Sequence, residues 1–134
     1  MDSEKLQMNI QTKCKIIGDY GCLAFIYLWC VELPESLLIS EFDKLLGKSI
    51  VDKECTVLDA DKYFAHFGIR SSVNKSSEAP MDGSRYAARW EHNGYAHWVG
   101  MINGKVVENT LDYSNCVSKG KIATNMPYRI VKVI

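Results

Sequence analysis

The chain lacks an excess of charge of either sign: sixteen Lys and Arg face sixteen Asp and Glu. Nucleic acids and anionic membrane surfaces are held through surplus basic charge, so neither is expected as a partner. It also lacks an apolar run long enough to cross a bilayer, which takes about 20 residues; the stretch from Gly21 to Val31 falls well short. The five cysteines, at 14, 22, 30, 55 and 116, are odd in number and form no Cys-x-x-Cys pair. A disulfide framework or structural zinc site is therefore not expected, and no metal or other cofactor is implied. A grouping of His92 and His97 with a Cys or Asp has no metal-ligand spacing. The opening Met-Asp-Ser-Glu-Lys-Leu-Gln-Met has no cationic segment leading into an apolar one, which points to a cytoplasmic protein. What remains is ordinary globular composition, 47% hydrophobic and 24% charged, in 134 residues, enough for one domain with one core.

The chain is organised around Ile17 to Val31, where a Gly-punctuated turn runs into an apolar segment with Cys22 at its start. Unpaired backbone N–H groups and the positive end of the helix dipole favour a thiolate in a helix's first turn, and the same N–H groups can receive an oxyanion. A cysteine in so apolar a segment is otherwise a small core residue. Because residues 21 to 31 are apolar on every side, the spacing predicts a central helix buried all round, ended by Leu33-Pro34.

Ser36 to Leu46 has apolar residues at helical spacing, and Gly47 suits a left-handed stop. Asp59 is placed to cap a third helix over 60 to 67, closed by Gly68; His66 on it reads as a packed or surface residue and not a ligand. A short strand is expected over 69 to 73, then a polar loop. From Arg85 the pattern changes to β-rich runs separated by Asn93-Gly94 and Asn103-Gly104, the signature of two tight hairpins and so of a three-strand meander. The final Tyr-Arg-Ile-Val-Lys-Val-Ile is a further strand, expected at the sheet's edge because Pro127 precedes it. Helices first and an antiparallel sheet after give an α+β fold.

Two-residue turns fix the register, and alternate residues share a face. The first hairpin pairs His92 with Tyr95 and Trp90 with His97. In the second, Ile102 pairs with Lys105, Val99 with Glu108 and His97 with Thr110; Asp112 is then diagonal to His97 on one face and Asn109 points to the other, and a one-residue register slip would bring Asn109 to His97 instead. A thiol nucleophile needs a base, and the base a third group to fix its tautomer. Cys22, His97 and Asp112 supply that set, with Trp90 excluding water from the imidazole.

Two strings carry a resemblance. Tyr-Gly-Cys-Leu-Ala-Phe around Cys22 resembles the nucleophile segment of papain-like cysteine peptidases, and the run from Ala96 to Asp112 resembles their histidine strand, hairpin and acidic strand. Within that superfamily the size and the His97 to Asp112 spacing are most similar to the small peptidases that process bacteriocin leaders, with cysteine/histidine cell-wall amidases next. The resemblance implies a compact papain-like domain over residues 1 to 134. It also implies hydrolysis of a peptide or amide bond in a peptide, a protein or a peptidoglycan stem peptide, with Trp90 and Trp98 as candidates for substrate binding. The family's oxyanion glutamine precedes the cysteine by about six residues, where this chain has Ile16; Gln11 is the nearest upstream glutamine and the candidate for that role. The departure at Ile16 supports the alternative expectation, an impaired papain-like fold serving as a binding or inhibitor module.

Overall fold

The computed structural model describes residues 22–109 and 119–134. Among the described residues three helices, α1 (Cys22–Cys30), α2 (Leu37–Gly47) and α3 (Ala60–His66), precede six strands: β1 (Ser71–Ser76), β2 (Tyr86–His92), β3 (Tyr95–Ile102), β4 (Lys105–Glu108), β5 (Lys121–Ile122) and β6 (Tyr128–Val133). The strands form one antiparallel sheet in the order β1-β6-β2-β3-β4, with β5 paired to β2. The architecture is the α+β arrangement that the order of helical and strand patterns predicts.

Helix α1 is buried nearly all round, as an apolar segment without a polar stripe requires. One side packs with α2, α3 and the β1–β6 pair through Phe25, Leu28, Leu38, Tyr63 and Val131. Its other side, through Ile26 and Trp29, lies on Ala87, Trp98 and Ile102 of the sheet. The opposite face of the sheet carries a separate cluster of Tyr86, Ala88, Trp90, Val99 and Met101. The Tyr63 hydroxyl donates to the Ala24 carbonyl at 2.8 Å and ties α3 to α1. The approach of α1 to β3 is so close that a Cβ on Gly100 would fall 2.5 Å from the Trp29 ring. Only glycine admits the helix there.

The helix ends show where local signals suffice. Asp59 accepts from Lys62 N at 3.1 Å and Gly68 closes α3 in the left-handed region, both as expected. The stop of α2 differs: Gly47 stays helical, and Ser49 takes φ 57 while Ile50 N donates back to the Leu45 carbonyl. Burial of Ile50 against Leu45 rewards a stop two residues later than the glycine suggests. Helix α1 closes in the same way, with Glu32 at φ 58 and Leu33 N on the Leu28 carbonyl, just before Pro34.

Three expectations about the sheet are corrected. Strand β1 begins at Ser71 and runs to Ser76, into the stretch expected as loop, because β6 supplies its full ladder. Strand β6 is interior, between β1 and β2. Pro127 is tolerated before it because only its carbonyl is needed, accepting from Arg89 N at 2.9 Å. In the second hairpin Ile102 pairs with Lys105 as expected, but Glu108 faces Gly100 instead of Val99, since the register shifts between Gly100 and Met101. Val107 is the extra residue and is exposed. Without this bulge Glu108 would oppose the fully buried Val99, and a carboxylate there would be desolvated.

Candidate functional site

The bulge decides the site. By moving Glu108 to the Gly100 side it turns the next residue, Asn109, toward the face that carries His97. The His97 Nε2 lies 2.7 Å from Asn109 Oδ1. The expectation that Asn109 points away from His97 is therefore overturned, along with the pairing of Val99 and Glu108 from which Asp112 was reached. Asp112 itself, with Thr110, Tyr113, Cys116, Cys14, Ile16 and the oxyanion candidate Gln11, lies outside the described residues. No uniform alternation rule finds Asn109; the available signal was the adjacent Val106 and Val107, where two apolar residues in a row break the period of two.

An amide oxygen only accepts, so Nε2 carries the proton and Nδ1 the lone pair. His97 is 3% exposed. Burial lowers its pKa below the usual histidine value, and the hydrogen bond to Asn109 offsets that in part. The ring is thus held as a neutral base in one tautomer. Trp90 stands directly across from it on β2, as expected; among the described residues its buried indole Nε1 has no hydrogen-bond partner.

Cys22 is the first described residue of α1 and meets β3 at the strand's edge. Arg89 directs its N–H to Pro127 and its carbonyl to Ala123, both on the side away from β3. The Arg89 and Trp98 pair is then the non-hydrogen-bonded type, and the Trp98 N–H points away from β2. Among the described residues β4 pairs no further along β3 than Gly100. The Cys22 Sγ accepts from Trp98 N in that open stretch, at 3.5 Å. Bonded geometry then puts the sulfur within about 6 Å of the His97 Cα. Cys22 thus reaches the part of the β3 edge that β4 leaves uncovered among the described residues, beside the His97 backbone, while the His97 and Asn109 side chains meet on the sheet face away from α1.

The other described thiols sit differently. Burial pushes Cys30 up to about 12, against a smaller lowering by Arg85, and burial pushes Cys55 to about 12 with Asp52 adding to it. Trp98 packs against the Leu23 and Cys30 side of α1, and its ring lies under the Arg129 guanidinium at 4.9 Å. His66, read from sequence as a packed or surface residue, joins α3 to α2 through Nε2 to Glu41 at 3.1 Å and stands apart from this site. Among the described residues no helix is long and apolar enough to cross a membrane. No protein-family model, curated protein or solved structure matches this chain.

Proposed function

We propose that this protein is a thiol hydrolase of papain-like type that cleaves a peptide or amide bond. Cys22 is the nucleophile, His97 the base and Asn109 the group that fixes the imidazole. The observation that carries the reading is the 2.7 Å contact of His97 Nε2 with Asn109, on the strand whose next N–H is bonded to the Cys22 sulfur. With Nε2 occupied, Nδ1 takes the Cys22 proton as the sulfur attacks the carbonyl carbon. The carbonyl π electrons move to oxygen, where the Cys22 backbone N–H receives the charge. Collapse expels the amine, which takes the proton from His97 and leaves a thioester. Water, deprotonated by the same nitrogen, then releases the acid and restores the thiol. Asp112 remains the rival third member, and Gln11 the second oxyanion donor.

A second reading, a binding or inhibitor module that retains the fold, draws on the 3% exposure of Cys22. Labelling with a peptidyl electrophile followed by mass spectrometry separates the two. A hydrolase is labelled at Cys22 ahead of Cys30 and Cys55; slow, equal labelling of all three would leave only the binding module.

A further inference from the structure

The face of the sheet that meets α1 continues past the Cys22 end of the helix, and two arginines stand on it. Ala87 packs against α1; Arg89 is two residues further along the same face, directly opposite Trp98, and Arg129 is directly opposite Ala87. Trp98 is thus grouped with both, and its ring stacks under Arg129. Arg129 spends Nη1 on the Met126 and Tyr128 carbonyls, at 2.8 and 3.3 Å, which fixes the guanidinium and leaves its other donors. Arg89 is exposed, and its side chain makes no hydrogen bond or ion pair among the described residues. The next residue along that face with a carboxylate, Glu91, is opposed by Lys121. Glu108, opposite Gly100, is a further carboxylate on that face among the described residues, so the two guanidinium groups are gathered on the β2–β6 side of an indole whose own backbone N–H holds the Cys22 sulfur.

A guanidinium fork matches a carboxylate in two parallel hydrogen bonds, and a flat indole supports the chain that carries it. We propose that Arg89 and Arg129, grouped around Trp98, form a carboxylate-recognising subsite. The inference rests on the hydrolase reading and narrows it to substrates with an acidic group within about two residues of the scissile bond, the distance one cross-strand step allows. The carboxylate belongs to an acidic side chain or to a free chain end.

The test is protection of Cys22 in the full chain from iodoacetamide, followed by mass spectrometry, with three capped peptides. One is N-acetyl-Ala-Glu-Ala-amide, one is N-acetyl-Ala-Gln-Ala with a free carboxylate, and one is N-acetyl-Ala-Gln-Ala-amide. At equal concentration the carboxylate-bearing peptides should protect about three- to tenfold better than the neutral one, and whichever protects identifies the source of the carboxylate. Each variant is compared with its own unprotected rate. Arg89→Gln should erase the difference between peptides, and Arg129→Lys, which keeps the charge but loses the fork, should reduce it. Equal protection by the neutral amide, or full discrimination by Arg89→Gln, overturns the subsite. Quenching of tryptophan fluorescence in the same titrations, referenced to Trp98→Phe, separates the two levels. If Cys22 is unreactive but carboxylate peptides quench in the parent and not in Arg89→Gln, the hydrolase reading fails and the subsite stands. If Cys22 reacts selectively and no peptide quenches or protects, the subsite alone falls.

Discussion

The two ends of α1 are built from the same materials and finished in opposite ways. At the Cys30 end Arg85 stacks on Trp29 at 4.7 Å, donates to the Trp29 carbonyl at 2.7 Å, and faces Glu32 at 3.7 Å. Glu32 and Leu33 return their N–H groups to the last turn. A cation on the negative end of the helix, bonded to a terminal carbonyl, is a closure. At the Cys22 end Arg129 stacks on Trp98 with similar spacing, yet neither it nor Arg89 meets a carboxylate among the described residues. There the sulfur takes the Trp98 N–H, and the neighbouring His97 holds Asn109 on the sheet's other face. An arginine on a tryptophan is thus a structural device where its donors are consumed internally, and a candidate for recognition where they are not.

The comparison breaks most visibly if the Cys22 end is not reactive. His97→Gln should lower any peptide or ester hydrolysis by several orders of magnitude, because the thiol loses its base. Asn109→Ala should lower kcat by about 10²-fold through misorientation of the ring, with a smaller change in KM. Asp112→Asn in parallel identifies the true third member: if Asp112→Asn is damaging and Asn109→Ala silent, Asn109 serves only to pack the histidine. Rates on one fluorogenic amide across the three variants decide it.

Gly100→Ala tests whether the ends are held in place by the close approach of α1 to β3. The methyl group has no space beside Trp29, so urea unfolding should show a loss of about 1–3 kcal/mol, and Cys22 reactivity should change with it because the helix must move. Arg85→Ala should be milder, about 1 kcal/mol in stability from the lost carbonyl bond and stacking. It should leave the Cys22 labelling rate as it was; a matching fall in labelling would show that the two ends are coupled and the contrast between them false.

The smallest effect is in pH. His97 is buried neutral, with its folded pKa below the unfolded value near 6.5. Its contribution to stability is therefore complete above about pH 6.5 and is lost as pH falls toward the lowered folded pKa, where the unfolded chain binds the proton more readily. Thermal unfolding from pH 7.5 to 5 should show a falling Tm that is shallower in His97→Gln. An identical slope in both proteins would mean that the ring charges in place at no cost.

Much of the fold was legible residue by residue. Both Asn-Gly turns take left-handed φ at each residue, 50 and 81 at Asn93-Gly94 and 49 and 79 at Asn103-Gly104. The first hairpin's register, with Trp90 against His97, follows from its turn alone. The third helix follows from its Asp59 cap and Gly68 stop. Less legible were the two-residue strand β5 and the interior position of β6, since neither is a property of its own segment: β6 is interior because β1 arrives beside it.

The sequence by itself determined that Cys22 would lie in a buried apolar helix and that His97 would stand opposite Trp90, because periodicity and two-residue turns act over a few neighbouring residues. The tertiary structure alone decided which side chain His97 would hold. Trp29 lies on Gly100 and Val99 is sealed from water, so β4 relieves its carboxylate by a bulge, and that one extra residue reverses the alternation and delivers Asn109 in place of its neighbours. A local rule propagates parity faithfully until packing from another element interrupts it, and here the interruption falls between the histidine and its partner.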